Sequence, residues 1–169
     1  PFLKNLNQDN IKIKLHHFFW TKKKYISLKN DLENELKGSS NISILPFSEY
    51  NIVKLFFKSS LLISDYSSTI FEYLIMDRPI IQTTYYTTSV KYRFFPSLLN
   101  KRIDKARLSQ IDFVFNCNKP NKLKDTINEA IKKPQLHHKE RIEASEKFLG
   151  PLDKDSSKRI VEAIFDSRI

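Results

Sequence analysis

Three hydroxyl residues in a row, Ser67, Ser68 and Thr69, have the types and spacing best suited to chemistry in this sequence. They follow the apolar run Leu61–Ser64 and lie where a stretch of helical periodicity begins. In an open parallel sheet, ligands bind beyond the carboxyl ends of the strands. The start of a helix presents unpaired N–H groups that attract an anion, and hydroxyl groups add further donors. The pattern therefore predicts a phosphate-binding turn between a strand and a helix.

The same residues also fit a structural role. Thr69 and Glu72 have the spacing of a capping box, in which the hydroxyl satisfies an N–H group and the carboxylate reaches back. Asp65 is a second candidate to cap the turn. Local physics alone leaves capping and phosphate binding both open, and Ser67 and Ser68 stay available if Thr69 caps. Glu72 is also placed to accept hydrogen bonds from ribose hydroxyls.

His16 follows a short apolar run and is a candidate general base or phosphate contact, because imidazole titrates near neutral pH. A structural hydrogen bond is the alternative. Ser67, His16 and Asp65 make a Ser-His-Asp triad on paper. The sequence lacks the Gly-x-Ser-x-Gly turn of the α/β-hydrolases, so a hydrolase is disfavoured.

The histidine pairs His16-His17 and His137-His138 do not predict a metal site. Neighbouring residues on a strand point to opposite faces, so each pair offers one ligand to a given site. His137-His138 is expected at an exposed helix start with a solvated role. The single cysteine, Cys117, excludes an internal disulfide and a multi-cysteine metal site. We expect no metal and no cofactor.

Aromatic and basic residues lie side by side at Phe18–Trp20 and Lys22–Lys24. One hypothesis is a surface on which single-stranded nucleic acid stacks. The favoured interpretation is an apolar loop that packs on a neighbouring domain, followed by a solvated lysine cluster. No helix-turn-helix, RRM or zinc-finger pattern is present.

The chain has 169 residues, 40% of them hydrophobic, and a formal charge of +10. This length suits one domain, which we expect over residues 1–150, with a helix in 151–169 packing on it or crossing from it. The positive charge favours anionic partners. No apolar run approaches the roughly 20 residues of a membrane-spanning helix. Because the sequence does not begin with Met, we expect it to be one piece of a longer protein.

Apolar runs of strand length alternate with amphipathic runs of helix length. The predicted strands are Ile11–His16, Ile42–Pro46, Leu61–Ser64, Ile80–Thr83 and Ile111–Phe115. The predicted helices are Tyr25–Leu36 with Gly38 as its stop, Glu49–Lys58 with Ser48 as N-cap, Thr69–Met76, Lys122–Lys132, Lys139–Phe148 and Ser156–Phe165. In the helix Lys122–Lys132, the apolar residues Leu123, Ile127, Ala130 and Ile131 are expected on one face. Residues 84–108 show no clear period. This alternation predicts a Rossmann-like α/β domain with a doubly wound parallel sheet, and Leu61–Ser64 is expected to be a central, doubly buried strand.

The segment Leu62–Tyr73, followed by Asp77-Arg78-Pro79, resembles the signature of the CDP-glycerol glycerophosphotransferase family, which includes the teichoic-acid primases and polymerases. The family's pattern is an apolar strand, Thr/Ser-Asp-Tyr-Ser-Ser, a short helix with an acidic residue, and Lys/Arg-Pro before a strand. Ile13-Lys14-Leu15-His16 is similar to its strand ending in Lys-x-His-Pro. Phe148–Ile164 is similar to its closing segment, Leu-Asp-x-x-Ser-Ser-x-Arg-Ile.

The resemblance implies the C-terminal, nucleotide-binding half of a GT-B arrangement. It implies that Ser67, Ser68 and Thr69 contact the pyrophosphate of a CDP-linked donor and that Glu72 lies near the ribose. His16 is the expected catalytic residue, facing the interdomain cleft near the donor phosphates.

Lys14 and Asp65 complete the expected substrate-binding set. Two departures from the family pattern leave the identity of the donor open. His17 replaces a proline, and Gln82-Thr83-Thr84 stands where an aromatic residue and an Asp usually follow.

The expected reaction is attack of an acceptor hydroxyl on the β-phosphorus of a CDP-linked polyol, building a teichoic-acid or capsule-like polymer. The expected partners are the donor, a polymer or lipid-linked acceptor, an anionic membrane surface and an N-terminal domain of the same enzyme, with no nucleic acid. The expected location is cytoplasmic, at the inner face of the cell membrane. The alternatives are a nucleotide-sugar glycosyltransferase of the GT-B type and a basic nucleic-acid-binding domain.

Overall fold

The computed structural model describes residues 10–49, 51–85 and 111–166. Its strands are β1 (Ile11–Ile13), β2 (Ile42–Ile44), β3 (Leu62–Ser64), β4 (Ile80–Thr83) and β5 (Phe115–Cys117). Its α-helices are α1 (Phe18–Thr21), α2 (Lys23–Leu36), α3 (Ile52–Lys58), α4 (Thr69–Glu72), α5 (Leu123–Lys132), α6 (His138–Leu149) and α7 (Ser156–Asp166). Short 3₁₀ helices cover Tyr73–Met76 and Pro120–Lys122.

The chain divides into two compact units between Leu55 and Phe56, inside α3. In the first unit, β1 and β2 pair in parallel, with Ile11 opposite Ile42. The connection between the two strands holds α1 and α2, as a parallel pair requires. Helix α2 ends at Leu36, two residues before Gly38, the predicted stop, whose φ of +81° places it in the left-handed region that glycine adopts without strain.

The second unit contains a three-stranded parallel sheet in the order β3-β4-β5. Strand β4 lies in the centre, and Ile80 and Ile81 are fully buried. The prediction that Leu61–Ser64 is the central, doubly buried strand is therefore wrong for the described residues. Strand β3 pairs only with β4 among them, and 38% of Ile63 is exposed. Hydrophobic content alone does not separate an edge strand from a central one.

Helices α5 and α6 supply the apolar faces of the second unit. Leu123, Ile127 and Ala130 of α5 are buried, as their spacing predicts, whereas Ile131 is 53% exposed. Phe71 stacks edge-on against Phe148 of α6, with ring centroids 4.7 Å apart. The sequence therefore placed the buried face of α5 correctly except at its margin.

Several boundaries differ from the predictions. Helix α3 begins at Ile52 rather than Glu49, and the side chain of Asn51, not Ser48, accepts an N–H group in its first turn, that of Lys54 at 3.3 Å. The last strand covers Phe115–Cys117 rather than Ile111–Phe115. The predicted helix Thr69–Met76 is present but tightens from α to 3₁₀ geometry after Glu72.

The predicted Rossmann-like α/β class is confirmed, because every described strand pair is parallel and the described connections contain helices. The described strands lie in two small sheets. The division into residues 1–150 and 151–169 stays a prediction. Across the described ranges, no helix combines the length and apolar character needed to cross a membrane.

Candidate functional site

The hydroxyl turn, residues Asp65–Thr69, joins the carboxyl end of β3 to α4. The N–H group of Ser67 donates to the carbonyl of Asp65 at 2.9 Å, which closes the turn. Asp65 and Ser68 are exposed, whereas Ser67 and Thr69 are half-buried. The structure thus brings four of the predicted substrate-binding residues together at the carboxyl edge of a parallel sheet.

The N-cap residue of α4 is Ser68, whose side chain makes no capping hydrogen bond, and Ser67 rather than Thr69 supplies a side-chain acceptor to the start of the helix. The Ser67 Oγ accepts the N–H group of Thr69 at 3.3 Å, and its carbonyl accepts that of Ile70 at 3.2 Å. The Ser67 hydroxyl donates a hydrogen bond to Thr69 Oγ1 at 3.0 Å. Thr69 already lies inside α4, so the prediction that Thr69 serves as the cap is wrong.

Glu72 does not complete a capping box. Its Oε1 accepts the hydroxyl of Ser68 at 3.4 Å, one helical turn earlier, instead of reaching a backbone N–H group at the start of the helix. A phosphate oxygen bound by Ser68 would compete with Glu72 for the single hydroxyl proton. Of the three predicted hydroxyl ligands, Ser68 is therefore the exposed one, and it is held by a carboxylate.

Tyr73, predicted as part of the family signature, anchors the helix to the end of α3. Its ring is fully buried, its hydroxyl lies 2.9 Å from Ser59 Oγ and donates to the Ser59 carbonyl at 3.2 Å. Burial raises the pKa of the Tyr73 phenol, and the hydrogen bond with Ser59 offsets part of that rise. Tyr73 thus has a structural role.

Arg78 closes the carboxyl end of α3. Its Nη1 donates to the carbonyls of Phe56 at 3.2 Å and Phe57 at 3.3 Å, and also to that of Ser59. These carbonyls include the last ones of the helix, which have no partner within it. The Lys/Arg-Pro pair of the signature therefore ties α3 to the start of β4.

Asp77 occupies the left-handed region, with φ +43° and ψ +41°, directly after the 3₁₀ turn. Its Oδ1 accepts Arg141 Nε at 2.9 Å, and its Oδ2 lies 2.7 Å from His138 Nδ1. Asp is one of the few residues with a side chain that enters this backbone region at modest cost. The two partners on α6 hold it there.

Among the residues that the structure describes, Arg141 is the largest side chain that is fully buried, with 1% of its surface exposed. Its remaining donors reach the carbonyls of Leu136 at 2.8 Å and Pro134 at 3.0 Å. The carboxylate and two carbonyls together meet the cost of burying a guanidinium. Sequence reasoning missed this residue. The sequence feature that could have identified Arg141 is its helical spacing from Ala144, Ser145 and Phe148, which lie on the inner face of α6.

The histidine pair His137-His138 lies at an exposed helix start, as predicted, but both rings also make contacts within the protein. His138 pairs with Asp77, and the ring of His137 meets that of Phe115 edge-on at 5.2 Å between centroids. His137 is also left-handed, with φ +64°. Within the described ranges, no group of three or more potential metal ligands is present.

His16 and Lys14 lie in the first unit, just beyond β1, and both are exposed. His16 Nδ1 accepts the N–H group of Phe18 at 3.3 Å, and Lys14 donates to the carbonyl of Glu49. With Nδ1 accepting, the proton of the neutral ring sits on Nε2. In this conformation the free nitrogen of His16 is therefore a hydrogen-bond donor.

His17 stands where the family pattern has proline, and its φ of −54° is one that proline also adopts. The residues Phe18–Thr21 form α1 rather than a loop. Trp20 contacts Phe47 at 6.1 Å between centroids, and Lys29 Nζ lies 4.8 Å above the Trp20 ring. Trp20 is thus engaged within the first unit by a ring and a cation.

The closing segment of the chain begins with a second, exposed ion pair. Asp153 accepts Arg159 Nη1 at 2.8 and 2.7 Å, and its Oδ1 accepts the N–H group of Asp155 at 2.9 Å. These hydrogen bonds lower the pKa of the Asp153 carboxyl, that from Arg159 most. The Asp and Arg of the predicted closing segment therefore fix the turn that leads into α7.

Comparison with known families places these features in one group. The model of the CDP-glycerol:poly(glycerophosphate) glycerophosphotransferase family matches residues 10–166. Searches of curated proteins and of solved structures found no significant match. The match spans nearly the whole chain and includes the hydroxyl turn, the Asp77-Arg78-Pro79 turn and the closing segment. The chain therefore belongs to the CDP-glycerol:poly(glycerophosphate) glycerophosphotransferase family.

Proposed function

We propose that this chain binds a CDP-linked polyol, CDP-glycerol or a close relative, for transfer of the polyol phosphate to a growing polymer. Membership in the family indicates a transferase of the glycerophosphotransferase type. The observation that carries the donor proposal is the hydroxyl turn. It offers Ser67, Ser68 and Thr69 side by side at the carboxyl edge of a parallel sheet, next to the start of a helical segment.

The hydroxyl turn suits a pyrophosphate for two reasons. The three hydroxyls offer hydrogen-bond donors without adding negative charge, with Ser67 and Ser68 turning from Thr69 and Glu72 to the ligand, and they lie on a turn that is fixed by its own backbone hydrogen bonds. Helix α4 has only four residues before the 3₁₀ turn, so its dipole is small and the side chains carry most of the binding. Donors fixed before the ligand arrives stabilise charge that develops in the reaction.

The proposed reaction transfers a phosphoryl group. The acceptor hydroxyl oxygen forms a bond to the β-phosphorus, the bond from that phosphorus to the CMP oxygen breaks, and the hydroxyl proton passes to a base. His16 is the proposed catalytic residue. Its free Nε2 carries a proton in the neutral ring, which suits a contact with a phosphate oxygen. To act as a base at Nε2, the ring must first release Phe18 and change tautomer.

The positive charge of the chain supports the proposed partners and location. A formal charge of +10 favours an anionic surface and a polyanionic product such as a polyol-phosphate polymer. We propose that the enzyme works at the inner, anionic face of a membrane, with a GT-B partner domain that completes its site. Binding to vesicles that rises with the fraction of anionic lipid is the expected result, and binding independent of lipid charge would contradict this location.

Calorimetric titration of the chain with CDP-glycerol, CDP, a UDP-sugar and single-stranded DNA at two salt concentrations tests the proposal. We expect CDP ligands to bind and the combined variant Ser67→Ala/Ser68→Ala to bind them at least about tenfold more weakly, since each hydroxyl bonded to a charged oxygen contributes about 1.5–3 kcal/mol. Ser27→Ala, an exposed serine on α2, is the control and should bind normally.

Two outcomes would overturn the proposal. The first is a stronger response to the UDP-sugar than to CDP-glycerol, which favours a glycosyltransferase. The second is tight, salt-sensitive binding of DNA with no response to any nucleotide, which favours a nucleic-acid-binding domain.

A further inference from the structure

The central strand of the second unit carries a buried amide. Gln82 lies in β4, and only 4% of its surface is exposed. Within residues 10–49, 51–85 and 111–166, its Nε2 is the one buried side-chain nitrogen or oxygen that lacks a hydrogen-bond partner. A donor removed from water and left unpaired lowers stability. Its presence at the centre of the sheet therefore calls for an acceptor that arrives with a ligand.

The position of Gln82 in the sheet places it at the ligand-binding edge. It pairs in register with Ser64 of β3 and with Asn116 of β5. Ser64 is the last residue of β3, and the hydroxyl turn begins one residue later. Neighbouring strands lie about 4.8 Å apart, so Gln82 sits one strand away from the point where that turn starts. The hydroxyl of the next residue, Thr83, donates to the Ser64 carbonyl at 3.2 Å and fixes the two strand ends together.

The chemistry of the Gln82 amide N–H limits which ligand atoms can pair with it. Residues that alternate along a strand point to one face, so Gln82 shares its face with the fully buried Ile80. A neutral amide donor selects an oxygen acceptor and, unlike a cationic side chain, gives little electrostatic preference for a full charge. Phosphate oxygens, a pyrimidine carbonyl and polyol hydroxyls all satisfy this condition. A ligand held by the hydroxyl turn spans the neighbouring strand ends and brings such an oxygen there.

We infer that Gln82 is a specificity-determining residue of the donor site, whose Nε2 donates a hydrogen bond to an oxygen of the bound CDP-linked substrate. This inference rests on the proposed function and extends it from the hydroxyl turn to the central strand. It assigns the buried amide to ligand recognition rather than to the stability of the sheet.

The test measures stability and binding on the same variants. Gln82→Met keeps the length of the side chain and removes the donor, and Gln82→Leu serves as the second variant if the first does not fold. The expected result is an unchanged or higher thermal midpoint, because an unpaired buried donor is gone, together with about tenfold weaker binding of CDP-glycerol. Gln135→Leu, an exposed position, is the matched control and should change neither quantity.

Titrations with CMP, CDP and CDP-glycerol locate the oxygen. A loss of affinity already present with CMP assigns it to the nucleotide, one that first appears with CDP assigns it to the β-phosphate, and one confined to CDP-glycerol assigns it to the polyol. Any of the three supports the inference.

Unchanged affinity for all three ligands in Gln82→Met would overturn the inference while leaving the proposed function standing. A lower thermal midpoint in both variants with normal affinity would also overturn it, because the amide would then be bonded within the folded protein. If the unmodified chain binds none of the three ligands, the proposed function fails and the inference fails with it.

Discussion

Arg141 on α6 donates from Nε to Asp77 Oδ1 at 2.9 Å, and this contact holds the left-handed residue that ends the signature helix. The guanidinium is 1% exposed and the carboxylate 33% exposed. A buried charge that loses its partner destabilises a protein more strongly than a surface pair does. The Asp-Arg-Pro turn of the family signature therefore depends on a residue far from it in the sequence.

Replacing Asp77 should separate its backbone role from its charge. Asp77→Asn keeps an acceptor and tolerates the left-handed region, so we expect a loss of about 1 kcal/mol in the free energy of unfolding. Asp77→Ala also loses the acceptor and adds backbone strain, so we expect a loss of about 3 kcal/mol. Chemical denaturation of the two variants gives both values. Equal losses would show that neither the retained side-chain acceptor nor the backbone conformation of Asp77 contributes to stability.

The Tyr73 phenol should make the second unit sensitive to alkali. Its pKa is raised by burial, so the unfolded chain ionises first as the pH rises. The stabilisation by neutral Tyr73 is complete below the ordinary tyrosine pKa and is lost as the pH rises through the higher pKa of the folded state. Tyr73→Phe should cost about 1 kcal/mol at neutral pH through the lost hydrogen bond with Ser59.

The measurement is the thermal midpoint of both proteins from neutral to alkaline pH. The difference between them should shrink as the pH passes the ordinary tyrosine pKa. Tyr25→Phe, which alters a partly exposed tyrosine on α2, is the control and should leave the alkaline loss unchanged. A constant difference between the parent chain and Tyr73→Phe would contradict the prediction.

Glu72 is close enough to the hydroxyl turn to oppose an anion there. Its carboxylate holds the Ser68 hydroxyl at 3.4 Å. Glu72→Gln removes the charge, so inorganic pyrophosphate should bind more tightly, by about fivefold at low salt. CDP-glycerol should bind more weakly if the carboxylate contacts the ribose, as the family resemblance implies. Calorimetry with both ligands decides, and a gain for both would remove Glu72 from the ribose site.

In the closing segment, the pKa of the Asp153 carboxyl can be measured to test its ion pair with Arg159. Asp153 has a lowered pKa because Arg159 and the Asp155 N–H group bind its ionised form. The contribution of this pair is therefore present above the ordinary Asp pKa and lost as the pH falls through the lower pKa of the folded state. In an NMR titration, Arg159→Gln should move the Asp153 pKa up toward its ordinary value.

The order of elements in this fold was predictable, except for α1, because most of them have a strong local pattern. The helix at Ser156–Asp166 and the stop at Gly38 follow from periodicity and from the one residue type that enters the left-handed region freely. Which strand lies at the centre of the sheet and which lies at its edge was not predictable. Leu61–Ser64 is as apolar as a central strand, and only the pairing of β4 with two neighbours shows which strand lies inside.

The location of the candidate site was predictable from the sequence, but the role of each residue within it was not. The presence of hydroxyl side chains at the turn follows from the sequence. Whether Ser67 or Thr69 accepts an N–H group at the start of the helix depends on where the helix begins, to within one residue. Arg141 and Gln82 were missed, because a charged or amide side chain in a sequence is expected at the surface unless a partner is known. Their burial depends on contacts between distant segments.

Asp77 and Arg141 are 64 residues apart in sequence. Contacts of such separation require a large loop to close, which is slow and favours late formation in folding. The 3₁₀ turn before Asp77 therefore gains its anchor only after α6 has docked, although the hydroxyl turn next to it is built from local hydrogen bonds. Pulse-labelling hydrogen exchange should show the amide of Asp77 protected in the same phase as α6, after the amides of α4. We therefore expect the hydroxyl turn to form early in folding and the Asp77–Arg141 contact, which holds the end of its helix, to form last.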